Sequence, residues 1–425
     1  MEQNEVPLIE AVAAFTCGST NDRNVSGLAY LTAKSMELGS SKYTKENFQS
    51  TLDNLGASWS TYAGTETVRF SLSSMKKDFD ALLPLFHSTL VNPAFPKDHF
   101  TNLKKRTISK LEAMQEQPSQ LIGRYFNRFA YGLHPYGNPT MGTIADLKSI
   151  ETKSLRSYYD GCFSPANAAI FIVGDLNLNK MKSKIDGAFK DWSNPSQPPL
   201  SIPETTPSKK VGQVLLVDKP DAFQSTFIIG GMGIPRTSEH YLTSRLANTI
   251  LGGRFTSWLN NELRVKSGLT YGARSRFTYR KLGGSFMVSS FTKTDSTIEA
   301  IDLAYKTYQR IFVKSNFKPE TVKSAKTYSK GQYPSQFETP QQLAFALADL
   351  HQYDLEPKTI EDVYNKTSSI KIDQLFSSIN KIMPKKENTI LVVIGQAKKL
   401  RKDLKKYGKI TEVKITDPFD SKNLL

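Results

Sequence analysis

The sequence predicts an α+β protein of two homologous domains, each an antiparallel-rich sheet covered on one face by helices. Three observations lead there. A chain of 425 residues is too long for one typical domain and comfortable for two of about 200. A proline-rich connector, SNPSQPPLSIPETTPSKK at 193–210, carries Pro195, Pro198, Pro199, Pro203 and Pro207 near the middle of the chain, and such composition favours an extended, semi-rigid spacer. Landmarks also repeat across that connector: Gly39 and Gly252, Gly56 and Gly268, and Gly174 and Gly395 recur at offsets of 213, 212 and 221 residues, the signature of a duplicated unit. The expected organisation is a first domain over 1–195, a linker over 196–210 and a second domain over 211–425.

The elements follow in order. PLIEAVAAFTCGS (7–19) reads as a strand, and GLAYLTAKSMELGSS (27–41) reads as an amphipathic helix opening behind Ser26. Its apolar stripe is Leu28, Leu31, Met36 and Leu38. NLGASWSTYAGTETVRFSLSS (54–74) gives paired alternating strands, and Phe79, Leu82, Leu83, Phe86 and Leu90 then follow helical spacing. A long helical pattern spans 96–117, and AAIFIVGDL (168–176) is a returning strand. The second half repeats the plan with AFQSTFIIGGMGI (222–234), a helix ending ILGGR, the strand-rich KSGLTYGARSRFTYRKLGGSFMVSS (266–290) and TILVVIGQA (389–397). Helices grouped between antiparallel strands indicate helices layered on a sheet face, and the large ones at 294–315 and 338–353 are expected to cover the second sheet.

Composition narrows the function classes. Hydrophobic content of 39% with 11% aromatic residues is ordinary for a globular protein with real cores. No apolar run approaches the roughly 18 residues a membrane span needs. The opening MEQNEVPLIEAVAAF lacks the basic n-region and longer apolar stretch of a secretion leader and reads as an expressed or processed start. The two cysteines, Cys17 and Cys162, are too few for a disulfide framework or a thiolate zinc site. The formal charge is +16, but lysines interleave with acids along the chain. The densest run, KKLRKDLKKYGK at 398–409, reads as a solvated helix face without a nucleic-acid motif beside it.

Four segments carry a resemblance: CGSTNDRNVSGLAYL near the start, HPYG at 134–137, FSPANAAIFIVGDL at 163–176 and LGGRFTSWLNNELRVKSGLTYGA at 251–273. Through them the chain resembles the pitrilysin-type, or M16, metallopeptidases, in their shorter bacterial and mitochondrial-processing-like branch. The resemblance spans essentially the whole length and implies two similar α+β domains facing each other as a half-shell. Active members use an inverted H-x-x-E-H motif, in which two histidines on one helix face hold zinc and the glutamate activates the bound water. A distant glutamate completes the open catalytic site.

Each requirement fails here. Histidines occur only at 87, 99, 134, 240 and 351, so no i,i+4 pair exists. The motif positions hold Tyr30, Leu31, Thr32, Ala33 and Lys34. Tyr30 and Lys34 stand for the histidines and Ala33 for the base, and a lysine ammonium repels a cation rather than binding it. The downstream acidic position falls near Lys110, with Glu112 two residues away. No metal site is expected in this chain.

The second half keeps another signature. Arg264 and Tyr271 lie seven apart in NELRVKSGLTYGA, and the resemblance implies a pair at this spacing that faces the zinc of the opposing domain. A permanently charged guanidinium and a phenol outside the zinc sphere can hold a peptide backbone and stabilise the developing oxyanion. From spacing alone, Arg264 also reads as a surface helix residue and Tyr271 as a core aromatic of a strand. Gly252 and Gly253 are read both as a helix terminus and as a peptide-contacting loop.

The expected function is a non-catalytic, substrate-positioning subunit of a heteromeric zinc endopeptidase. Its zinc would sit in a partner homologue, and its substrate would be a peptide or unfolded segment. The alternatives are an inactive scaffold like the respiratory-chain core subunits, and a peptide-binding module that holds extended chains without cutting them. The residues leave the compartment open; the resemblance alone points to the periplasm.

Overall fold

The computed structural model describes residues 1–193, 201–206, 208–416 and 419. Pro195, Pro198, Pro199 and Pro207 of the proline-rich connector lie outside the described residues. The chain forms two compact units, neither of them one continuous stretch. The first comprises Met1–Leu111, Asn138–Ile202 and Pro334–Pro357; the second comprises Glu112–Gly137, Pro203–Tyr333 and Lys358–Leu425.

In the first unit, β1 (Leu8–Phe15), β2 (Ser58–Ala63), β3 (Val68–Met75) and β4 (Ala168–Gly174) form a four-stranded sheet in the order β2–β3–β1–β4. Every pairing in it is antiparallel. Strand side chains alternate between faces, so β1 serves two layers. Phe15 meets Phe70, Phe163 and Trp192, an aromatic core closed by Phe86 of the Phe79–Val91 helix through Trp59. On the other face, Val12 and Ala14 of β1 join Val173 in a cluster with Ala344 and Ala348.

Those two alanines belong to the Pro340–Gln352 helix, which corrects the expectation that the 338–353 helix covers the second sheet. Ala344 and Ala348, one turn apart, present a small-residue face that lies close against β1 and β4. The Arg69 guanidinium of β3 then donates to Asp349 at 2.5 Å and Gln352 at 2.8 Å. Thr339 and Gln342 close a capping box at the helix start. Periodicity marks which face of a helix is apolar; it does not say which sheet receives that face.

In the second unit, β5 (Gln213–Asp218), β6 (Gln224–Gly233), β7 (Ala273–Tyr279), β8 (Gly284–Lys293), β9 (Ile390–Gly395) and β10 (Lys409–Lys414) form a six-stranded sheet in the order β10–β5–β9–β6–β8–β7. The β10–β5 and β5–β9 pairings are parallel and the remainder antiparallel. Phe227 and Ile229 of β6 enter a core with Leu246 and Ile250 of the Tyr241–Leu251 helix and Ile301 and Tyr308 near the Thr297–Gln309 helix. The opposite face of β6 receives the Pro118–Tyr131 helix, a segment from the first half of the chain. Gly230 makes room for it: a Cβ there would stand 2.9 Å from the Phe126 ring.

The basic run near the C-terminus is a solvated helix face, as its pattern predicts. Ala397, Leu400 and Leu404 of the Ala397–Leu404 helix are buried, while Arg401 pairs with Glu412, Lys399 with Asp295 and Lys406 with Asp302. Among the described residues no helix is long and apolar enough to cross a membrane.

Candidate functional site

The helix at the motif position runs Leu28–Met36. Its cap differs from the sequence expectation. Gly27, with φ of 90°, is the N-cap, and Ser26 instead hydrogen-bonds the Asp146 carboxylate. The cap's work is done by Asp22, whose carboxylate accepts the N–H groups of Gly27 and Ala29, both at 2.7 Å. An anion at a helix N-terminus answers donors that have no partner within the helix. Burial, against the pull of those bonds, pushes the Asp22 carboxyl well above its ordinary range.

On this helix Ala33 is fully buried, while Tyr30 and Lys34 are half-buried. The Lys34 ammonium lies 3.8 Å from the Glu37 carboxylate, which also accepts a 2.6 Å hydrogen bond from Thr61. A lysine–glutamate pair therefore occupies this end of the helix. Burial raises the Tyr30 phenol above its ordinary value. Lys110 is exposed on the Lys97–Ala113 helix. Among the described residues no group of three or more histidine, cysteine or acidic side chains could hold a metal ion. Cys17 and Cys162 are buried free thiols.

The second unit contains a cavity of about 920 Å³ lined by Arg264, Tyr271, Gly252 and Gly253 together. Local structure fixes each. Asn261–Lys266 forms a π-helical turn, a geometry frequent at functional sites. It is pinned by buried Leu259 and Leu263 and by Glu262, which pairs with Lys266 and Arg310. Gly268, with φ of 65°, then turns the chain towards β7. Arg264 is exposed, with its guanidinium carbon 5.1 Å above the Phe255 ring. Its guanidinium has no hydrogen-bond or ion-pair partner among the described residues.

Tyr271 is 80% exposed, which removes the reading of it as a core aromatic of a strand. Its flanks are held firmly. Thr270 accepts the Gly272 N–H, Ser290 donates to the Gly272 carbonyl, and Thr292 donates to that of Leu269. The phenol itself has no partner among the described residues. A fixed backbone beneath a free donor is the arrangement a positioning group needs. Gly252 and Gly253 have packing reasons as well. A Cβ on Gly252 would stand 2.2 Å from the Ser275 nitrogen, and one on Gly253 would stand 2.9 Å from the Asn248 amide. Gly252 also accepts the Ser275 N–H at 3.2 Å and so covers part of the edge of β7.

The reading by motif missed Arg254, Arg274, Arg276 and Arg280, which line the same cavity. The signal was present in ARSRFTYR at 273–280, where arginines alternate with other residues at the strand period of two.

Two family models account for most of the chain. Residues 10–144 match the M16 insulinase peptidase model, and residues 149–328 match the model described as the peptidase M16 inactive domain. The chain belongs to the M16 peptidase family. Within M16, it is 22% identical over 324 residues to a Helicobacter pylori protein named non-peptidase homolog YmxG, covering 76% of this chain and 74% of that one. It is also 22% identical to the H. pylori zinc protease PqqE over 394 residues, covering 91% of this chain and 88% of the relative. A crystal structure described as the peptidase M16 inactive domain from Pseudomonas fluorescens superposes with a TM-score of 0.87 at 23% identity, covering 93% of this chain and 94% of that one. The two-domain M16 fold is therefore retained.

Proposed function

We propose that this chain is the non-catalytic, substrate-positioning subunit of a heteromeric M16-type zinc endopeptidase acting on peptides or unfolded segments. One observation carries the reading. Arg264 and Tyr271 stand free on rigid supports in one cavity, whereas the zinc-helix positions hold Tyr30, Ala33 and Lys34. The N–H donors of Arg264, which stacks on Phe255, and the O–H of Tyr271 are both unused by the described residues and so are available to a peptide. Both kinds of relative occur in H. pylori, one named a zinc protease and one a non-peptidase homologue, in keeping with a division of labour between unlike chains.

In this arrangement the zinc of a partner chain supplies the activated water. Arg264 offers a permanent positive charge and planar donors to a peptide carbonyl, and Tyr271 offers a neutral O–H. Together they orient the backbone and counter negative charge as it develops on the oxygen. Gly252 and Gly253 keep the cavity wall low, because any side chain at either position collides with backbone or amide atoms.

The test is reconstitution with a zinc-bearing M16 homologue from the same cell. Arg264→Ala and Tyr271→Phe are each expected to lower peptide turnover by about 10²–10³, while size-exclusion chromatography shows unchanged assembly. Undiminished turnover in both variants removes the positioning role and leaves the scaffold reading.

A further inference from the structure

The cavity that holds Arg264 and Tyr271 is lined by five arginines, Arg254, Arg264, Arg274, Arg276 and Arg280, and by no aspartate or glutamate. Guanidinium groups do not deprotonate in proteins, so their mutual repulsion, screened by water where they are exposed, favours an anion among them. Among the described residues none lines the cavity. Arg274 and Arg276 are exposed and have no hydrogen-bond, ion-pair or stacking partner among the described residues. Arg254 donates one Nη to Ser324 at 2.9 Å, but its Nε is buried without a partner. Arg264 lies over Phe255 and Arg254 over Tyr328, contacts that leave their charge unpaired, while Arg280 donates to the Tyr136 carbonyl and stacks on Tyr131 and Tyr136, a structural use. Elsewhere on the molecule some cations are placed beside acids, as Lys399 and Arg401 of the Ala397–Leu404 helix are. On this wall Arg254, Arg264, Arg274 and Arg276 share one cavity without an acidic side chain among the described residues.

Geometry selects among anions. Arg274 and Arg276 are two apart on β7, opposite Ser289 and Met287 of β8, and all four residues line the cavity. Same-face side chains on a strand repeat every two residues, about 7 Å apart. An extended peptide presents its own alternate side chains at that same spacing. A volume of about 920 Å³ accommodates a short peptide segment and lies at the upper end of ligand pockets, roughly 300–1,000 Å³.

We propose that this cavity selects acidic peptides, with carboxylates at alternating positions engaged by Arg274 and Arg276 and a further anionic group reaching Arg254. The proposal rests on the reading above that the cavity holds peptide, and it adds the class of peptide held.

The test uses the full chain and fluorescence anisotropy at low and physiological salt. Four labelled probes of equal length are compared: a peptide with alternating glutamates, its glutamine counterpart, its lysine counterpart, and a single-stranded RNA of the same net charge as the first. The glutamate peptide is expected to bind about tenfold more tightly than the glutamine peptide, an advantage that falls with salt. Arg274→Gln with Arg276→Gln is expected to abolish that advantage while leaving the glutamine peptide's affinity and the melting temperature unchanged. Equal binding of glutamate, glutamine and lysine peptides overturns acid selection but leaves the peptide-holding reading intact. Failure of all three peptides to bind overturns both. RNA binding more tightly than the glutamate peptide overturns the proposal in favour of a nucleic-acid ligand.

Discussion

Replacing Asp22 by alanine tests how the helix at the old zinc position is held. The carboxylate is 1% exposed and accepts two N–H groups of the first helical turn at 2.7 Å. Removing it leaves both donors, on Gly27 and buried Ala29, without that acceptor. Leaving a buried donor unmatched costs about 1–3 kcal/mol, against about 0.5–2 kcal/mol for an ordinary exposed cap. Some recovery by water entering the vacated space brings the expected loss to about 3 kcal/mol. A unit of this size shifts by about 2–4 °C per kcal/mol, so differential scanning calorimetry should lower the first unit's transition by about 6–12 °C. Asp22→Asn keeps the shape and one acceptor oxygen and relieves the charge beside Asp146 that burial already disfavours, but turns an NH2 towards the other N–H, so it should cost less than Asp22→Ala without restoring the parent. A transition in Asp22→Ala within about 2 °C of the parent would show that the helix start does not depend on this carboxylate.

Further outcomes follow from other sites. Gly230→Ala would bring a Cβ to 2.3 Å from the Phe286 carbonyl and 2.9 Å from the Phe126 ring, and should destabilise the second unit by about 1–3 kcal/mol or more, read from its denaturant midpoint. Glu10, 1% exposed on β1, has its carboxyl raised above the ordinary 4.5 by burial. The folded state therefore favours the protonated form, and stability falls as pH rises through 4.5 towards the raised folded value. Glu10→Gln should flatten that decline in melts taken between pH 4 and 8. A chelator should leave the melting temperature of the purified chain unchanged, and elemental analysis should return far less than one zinc per chain; one tightly held zinc would contradict the assignment of Tyr30, Ala33 and Lys34 as non-ligands.

Much of the local structure was legible because it depends on neighbours in sequence. The strands around Gly174 and Gly395, the Phe79–Val91 helix and the paired strands after Gly56 all stand where alternation or helical spacing puts them. The start of the Leu28–Met36 helix was not legible. Ser26 is a good capping residue, but Asp22 takes the donors from further upstream, and only a folded loop brings its carboxylate there.

By itself the sequence determined that this protein has a duplicated α+β plan and lacks the histidines of a zinc peptidase. Both are local properties, read from periodicity and from the identity of a few side chains. The tertiary structure decided that the Pro340–Gln352 helix serves the first sheet and the Pro118–Tyr131 helix the second. It also decided that arginines from three separate segments share one wall with Tyr271. An amphipathic pattern states only that a face must be buried, and any complementary sheet satisfies it. Which sheet does so depends on contacts between residues far apart in the chain, whereas the grouping of the arginines of 254–280 depends on how two turns and a strand fold against one another.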